Sequence, residues 1–220
     1  MNKVYDIVIF DLDGTLIDTS EGIFNSVRYA QKKLGLHKIS DNELKLFIGP
    51  PPEEMYKKIY GLSDDDAKTA TKFHREYGLE FGIYEARPYE DMKKCLKSLN
   101  EAGYMLGVAT LKNEKAAKEI LHHFEMDKYF DVILGMSSSE KSTKAELILT
   151  AVEQLGGRSA LMVGDSLYDL DGAKKAKVDF AAALYGFGYK EKPEDAVVAL
   201  NNALELMFFL VKSRSKVDGK

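Results

Sequence analysis

The sequence has little of what an extracellular, membrane or nucleic-acid-binding protein needs. Its 220 residues contain one cysteine, Cys95, which excludes an internal disulfide and is typical of a reducing compartment. No apolar run is long enough to cross a bilayer, and the N-terminal one is too short for a signal peptide. A formal net charge of −4, without a long basic run, gives no electrostatic basis for binding nucleic acid. We therefore expect a cytoplasmic, monomeric or homodimeric protein with no nucleic-acid or membrane partner.

Short β-branched segments alternate along the chain with longer segments of helical periodicity. The strand-like segments lack polar alternation, as expected for a parallel sheet covered on both faces; they are Asp6–Phe10, Met105–Ala109, Asp131–Leu134, Ala160–Val163 and Phe180–Leu184. Helical patterns lie between them, at Glu90–Leu99, Glu114–Phe124, Lys144–Leu155 and Asp169–Ala176. This order predicts right-handed crossovers and a doubly wound, Rossmann-like α/β core.

One region interrupts this alternation. Between the first strand and about residue 83 there is no convincing strand, only helical patterns separated by glycine and by the "GPPP" stretch that begins at Gly49. We therefore expect residues 17–83 to form an inserted helical cap domain, and residues 1–16 and 84–212 to form the core. Residues 213–220 are predicted to be a flexible tail.

The stretch "VIFDLDGTLIDTS" places two acids directly after the first strand. On an extended chain Asp11 and Asp13 point to the same side, and two like charges that close cost free energy unless a cation, a proton or a substrate offsets them. A strand followed by an Asp-Gly turn would explain Asp13 and Gly14 but not Asp11. The pattern therefore favours a functional site.

Polar side chains also follow the next strands. Ligands of open α/β sheets bind beyond the carboxyl ends of the strands, and the candidates there are Thr110, Lys141, Lys144, Asp165 and Asp169. Clustered carboxylates without histidine or cysteine suit a hard cation, of which Mg²⁺ is the first choice. A hydroxyl and a lysine suit a phosphoryl group, and a carboxylate can act as the nucleophile through an aspartyl-phosphate.

These motifs resemble those of a known family. "DLDGTLIDT", Thr110, Lys144 and "GDSLYD" are similar to the four motifs of the haloacid dehalogenase superfamily of phosphatases, and the resemblance extends over nearly the whole chain. "IGPPPEEMY", "STKAELI" and "LYGFGYKEKPED" further resemble its phosphoglycolate-phosphatase-like branch. The glycines of "YGFGYK" are interpreted as ordinary loop residues, since they lack the spacing of a dinucleotide fingerprint.

The resemblance implies a role for each acid. Asp11 is the nucleophile. Asp13 protonates the leaving alcohol and later activates water, and its backbone carbonyl contacts the metal. Asp165 completes the Mg²⁺ site, and Asp169 either ligates the ion or orders the site without contacting the ion.

The resemblance also implies a phosphate site. Thr110 and the backbone amides of Leu12 and Leu111 hold the phosphoryl oxygens, and Lys144 neutralises their charge. The second motif reads "ATLKN" where relatives often have "ATSKP", so Leu111 offers only its backbone. Lys141 is an alternative to Lys144, which is preferred because it opens the helix where the family's lysine does.

Three functions are compatible with these residues. The first is a Mg²⁺-dependent hydrolase of a small phosphomonoester, such as phosphoglycolate or a nucleotide. The second is a phosphosugar mutase of the same fold, and the third is a non-catalytic binding or regulatory protein. The intact set of acids and lysine argues against the third, and the presence of Asp13 argues against a dehalogenase. Two histidines of the predicted cap, His37 and His74, are candidates for contact with substrate.

Overall fold

A computed structural model describes residues 4–137, 142–157 and 159–218. In this part of the chain six parallel strands form one sheet in the order β5-β4-β1-β6-β7-β8. The strands are β1 Ile7–Phe10, β4 Met105–Asn113, β5 Val132–Met136, β6 Ala160–Gly164, β7 Asp179–Ala183 and β8 Val198–Leu200. The predicted doubly wound α/β core is confirmed.

Both faces of the sheet are covered by helices, which explains why its strands lack polar alternation. On one face Val8 and Phe10 of β1 belong to a cluster with α5 (Met92–Glu101), α6 (Glu114–His123) and α9 (Ala203–Asp218). On the other face Ile7 and Ile9 pack in a second cluster with α7 and α8, which span Lys144–Gln154 and Leu167–Ala176. All four residues of β1 are fully buried, so β1 is the centre of the core and fixes the position of the acidic turn at its carboxyl end.

The segment between β1 and α5 is mainly helical. Its helices are α1 Ser20–Leu34, α2 Asp41–Lys45, α3 Pro52–Tyr60 and α4 Asp64–Tyr77, followed by a π-helical turn at Gly78–Gly82. They bury a third apolar cluster, which includes Val27, Phe47 and Tyr56. Where the segment leaves and rejoins the sheet, β2 (Ile17–Asp18) pairs antiparallel with β3 (Arg87–Pro88). An ion pair of 3.0 Å between Arg87 and Asp18 closes this junction.

The structure differs from the predicted elements in three places. The sequence did not reveal β2, β3 and β8, because strands of two or three residues are too short to show a period. β4 runs to Asn113, beyond the predicted end at Ala109, and its register against β5 shifts between these two residues. The helix α9 includes residues 213–218, for which a tail was predicted. In the described residues no helix has the length and apolar character needed to span a membrane.

Candidate active site

Asp11 is the first residue after the central strand. Its backbone N–H donates to the carbonyl of Val163 on the neighbouring strand β6, at 2.9 Å, so its position is set by the sheet itself. Its side chain is buried, and Lys144 Nζ lies 2.7 Å from its Oδ1. The same ammonium donates to the carbonyl of Ala109 at 3.0 Å. One strand and one helix N-terminus therefore meet at a buried ion pair.

Lys144 occupies a costly position that the ion pairs offset. It is the first residue of α7, where the helix dipole disfavours a positive charge, and it is buried. Asp11 and Asp169 lie at 2.7 Å on either side of its ammonium, and the pKa of Lys144 is raised because these two charges outweigh the effect of burial. A Cβ on Gly172 of α8 would come 2.5 Å from Cγ of Lys144, so this glycine provides room for the lysine stem.

Asp169 has both a structural and an electrostatic role. Ser166 caps α8 and Asp169 is the third residue of that helix, so the two form a capping box. Oδ2 of Asp169 accepts from the backbone N–H of Ser166 at 3.0 Å and from its hydroxyl at 2.6 Å. Oδ1 faces Lys144. The spacing in "GDSLYD" therefore both starts a helix and places a second carboxylate on the lysine.

Asp165 is held by a loop whose glycines were interpreted from the sequence as ordinary loop residues. The backbone N–H of Phe187 donates to Oδ2 of Asp165 at 2.8 Å, and the Thr15 hydroxyl donates to Oδ1 at 3.3 Å. A Cβ on either Gly186 or Gly188 would overlap with atoms of Asp165. These glycines do lie in a loop, and they also permit the close approach of its backbone to Asp165.

The carboxylates of Asp11, Asp165 and Asp169 form a cluster that could hold a metal ion. Each offers an oxygen, and these oxygens lie within 4.8 Å of one another in a buried site. Burial raises the pKa of Asp11, assisted by Asp169 and Asp13 and opposed by Lys144. Burial also raises the pKa of Asp165, assisted by Asp169 and Asp11. One lysine is too little positive charge for three acids, and a set of oxygen ligands alone suits a hard divalent cation.

The carboxylate of Asp13 lies outside this cluster. Its Oδ1 accepts from the Thr19 hydroxyl at 2.6 Å and from Lys112 Nζ at 3.0 Å. The contact with Lys112 is one that the sequence reasoning missed, although this lysine is shared by "ATLKN" and the pattern "ATSKP". Thr19 stands at the N-cap position of α1 but makes no side-chain cap bond. Its hydroxyl binds Asp13 instead, so the first helix of the insertion is tied directly to this acid.

The predicted phosphate-binding residues lie at the same edge of the sheet. Thr110 is buried in β4, where its hydroxyl accepts from the backbone N–H of Lys112 at 3.2 Å. Leu12 is fully buried, and its carbonyl accepts from the N–H of Leu16 at 3.0 Å in the turn after β1. Leu111 lines a cavity beside Asp13. Lys141, the alternative phosphate-binding lysine, lies outside the described residues.

The cavity has a volume of about 270 Å³ and lies between the sheet edge and the helical insertion. Asp13 and Lys112 line it from the sheet side, and Phe47, His74 and Arg75 line it from the insertion. Of the two histidines that were candidates for contact with substrate, His74 lines this cavity and His37 does not. Asp13 therefore lies at the cavity. Asp11, two residues earlier in the chain, is buried and paired with Lys144.

Comparison with known proteins identifies the family. The profile described as haloacid dehalogenase-like hydrolase matches residues 8–183, a range that includes both acids that follow the first strand, Lys144 and Asp165. This chain belongs to the haloacid dehalogenase-like hydrolase family. The predicted family and a hydrolase of the phosphatase type are confirmed, while the metal, the substrate and the role of each residue stay predictions.

Individual relatives agree with this assignment. A 5'-nucleotidase of Pseudomonas aeruginosa is 37% identical over 191 residues, which make up 86% of this chain and 86% of that protein. A phosphoglycolate phosphatase of Aquifex aeolicus is 31% identical over 184 residues, covering 82% of this chain and 85% of the relative. The crystal structure of a predicted phosphatase from Clostridium acetobutylicum has a TM-score of 0.88 and 36% identity, covering 96% of this chain and 100% of that one.

Proposed function

We propose that this haloacid dehalogenase-like hydrolase is a Mg²⁺-dependent phosphomonoesterase that acts on a small phosphorylated metabolite through an aspartyl-phosphate on Asp11. The observation that supports this best is the position of Asp11. Its buried carboxylate lies 2.7 Å from Lys144 and belongs to a cluster of three acids, and Asp13 beside it opens onto a cavity. A nucleophile thus has positive charge on one side and room for a leaving group on the other.

The reaction needs two displacements at phosphorus. In the first, a carboxylate oxygen of Asp11 bonds to phosphorus, the ester P–O bond breaks, and the leaving oxygen takes a proton from Asp13. In the second, a water oxygen bonds to phosphorus while Asp13 takes its proton, and the bond between Asp11 and phosphorus breaks to release inorganic phosphate. Thr110 and the backbone amides of Leu12 and Leu111 are proposed to hold the phosphoryl oxygens, with Lys144 offsetting their charge.

The acidic cluster fits the proposed ion. Asp11, Asp165 and the backbone carbonyl of Asp13 would hold Mg²⁺, and Asp169 would order the site, since both of its oxygens are already engaged by Ser166 and Lys144. When bound, Mg²⁺ supplies the positive charge that offsets repulsion between a carboxylate and a phosphoryl dianion.

We further propose a division of labour along the chain. Residues 17–83 would act as a cap that selects the substrate, and residues 1–16 and 84–212 as the catalytic core. The names of the relatives make a nucleotide and phosphoglycolate the first substrates to test. A net charge of −4 and a single cysteine support a cytoplasmic monomer or homodimer without a nucleic-acid or membrane partner.

The test is phosphate release from a panel of phosphomonoesters, with Mg²⁺ and with a chelator. We expect turnover that depends on Mg²⁺ and that is lost in the Asp11→Asn variant, which should keep its fold because asparagine has the size of aspartate and Lys144 keeps its ion pair with Asp169. Circular dichroism and melting temperature serve as the control for folding. Turnover of Asp11→Asn within tenfold of wild type, or full activity in chelator, would contradict the proposal.

A further inference from the structure

We infer that Arg75 is a specificity-determining residue that binds an anionic group, a carboxylate or a phosphate, on the leaving part of the substrate. The inference rests on the proposed phosphatase function. It concerns the leaving group, which the proposed reaction at the phosphoryl group does not specify. Arg75 lies on α4, in the helical insertion, and lines the cavity that begins at Asp13.

The charged residues that line this cavity have a strong bias. Among the described lining residues the cations are Arg75, Lys112 and Lys115, whereas the one acid is Asp13. In the reaction proposed above Asp13 delivers its proton to the leaving oxygen, so the space beyond Asp13 receives the leaving group. The cations of the lining outnumber its one acid, so an anionic leaving group would balance their charge and a neutral one would not.

Arg75 is the cation that is available. Lys112 pairs with Asp13 at 3.0 Å, and Lys115 lies 3.8 Å from Glu119. Arg75 makes no ion pair with any residue that the structure describes, and its side chain is exposed to solvent. Its planar guanidinium matches the two oxygens of a carboxylate or a phosphate in a way that an ammonium does not.

The neighbouring His74 adds no positive charge to the cavity. The pKa of His74 is lowered to about 3, first by burial and then by the charges of Lys112 and Arg75. His74 is therefore uncharged at neutral pH, and two cations from opposite walls act at the same place. Phe47, Ile23 and Leu111 add apolar surface to the walls of the same cavity.

The experiment compares substrates that differ only in the charge of the leaving part. For the carboxylate the pair is 2-phosphoglycolate and its amide, and for the phosphate it is ethylene glycol bisphosphate and 2-hydroxyethyl phosphate. We expect wild type to prefer the charged member of at least one pair, and Arg75→Gln to lower kcat/KM for that member by about 10–100-fold, since a hydrogen-bonded ion pair is lost. The neutral partner should change less than about threefold. Arg75→Lys should restore part of the preference.

Lys72→Gln is the matched control. It removes one positive charge from the same helix, is exposed and does not line the cavity, so the preference should stay as in wild type. A wild-type enzyme that hydrolyses charged and neutral members equally, or an Arg75→Gln variant that keeps the preference, overturns the inference and leaves the phosphatase function intact.

A binding measurement separates this outcome from failure of the function itself. 3-Phosphonopropionate and its amide lack the scissile ester oxygen, so calorimetric titration with either one reports recognition without turnover. We expect the acid to bind more tightly to wild type, and this difference to disappear in Arg75→Gln. Equal binding of the acid and the amide, together with equal turnover of the bisphosphate and its neutral partner, overturns the inference. Selective binding with no turnover of any ester upholds the anion site and refutes the hydrolase.

Discussion

His74 should make a contribution to folding stability that increases as the pH rises toward neutrality. The imidazole is buried on α4, with Nδ1 3.4 Å from the hydroxyl of Tyr56 and its ring stacked on Phe47 at 6.4 Å between centroids. Its pKa is lowered from 6.5 to about 3, because burial disfavours the imidazolium and the charges of Lys112 and Arg75 repel it, while Asp13 opposes them weakly.

The sign and size of the effect follow from proton linkage. Between the folded and unfolded pKa values the unfolded state binds more protons, so folding stability increases as the pH rises through this interval. From about pH 5 to about pH 7 the unfolded histidine goes from almost fully protonated to mostly neutral, which corresponds to about 2 kcal/mol. For a chain of this length that is a change in melting temperature of roughly 4–8 °C.

The assay is a difference between wild type and His74→Gln, measured by calorimetry in chelator at the two pH values. A difference is needed because burial raises the pKa of Asp11 to about 7 and that of Asp165 to about 8, so these groups lower stability as the pH rises. They are common to both proteins and cancel. His123→Gln, at an exposed position, should follow wild type. A gap in melting temperature between wild type and His74→Gln that is the same at both pH values would refute the reasoning.

Three further changes test the site. Asp13→Asn should slow hydrolysis of an alkyl phosphate by about 10²–10⁴-fold and p-nitrophenyl phosphate less in its first step, with a phosphorylated enzyme detected by intact mass; equal losses without an adduct would contradict its acid–base role. Lys144→Met leaves buried carboxylates without their cation and should lower the free energy of unfolding by about 3–5 kcal/mol in denaturant titration; an unchanged midpoint would contradict this. Gly186→Ala would overlap with Asp165 and should lower stability and Mg²⁺-dependent activity. Gly82→Ala, whose Cβ would have its nearest contact at 3.7 Å, should keep the stability of wild type; equal melting temperatures of the two variants would argue against the close packing.

The fold and the approach of the acids to one another could be predicted from the sequence, because both depend on the order of strands and helices along the chain. Parallel strands separated by helices present their carboxyl ends at one edge, so Asp11 and Asp165 had to approach each other once their strands were neighbours. Ser166 and Asp169 form a capping box that is also visible as a spacing of three residues. These features depend on the order of elements alone, without knowledge of how the elements tilt or pack.

Features that depend on packing between distant segments were not visible. Lys112 reaches Asp13 across 99 residues of sequence, from the part of β4 in which the register against β5 shifts. Gly186 was interpreted as a loop residue, because nothing in "YGFGYK" shows that a carboxylate lies against it. A glycine that only forms a loop and a glycine that packs against a carboxylate look the same in the sequence.

Asp11 and Asp13, which follow the first strand, are thus held in position by different parts of the molecule. Asp11 is held by β6 and by Lys144, both of which belong to the sheet and the helices that cover it. Asp13 is held by Lys112 and by Thr19, and Thr19 begins the first helix of the insertion. A displacement of that helix therefore changes the surroundings of Asp13 and leaves the ion pair of Asp11 in place. In the proposed mechanism, selection among substrates is then expected to act on the protonation of the leaving group, the step proposed for Asp13, rather than on the proposed nucleophile Asp11.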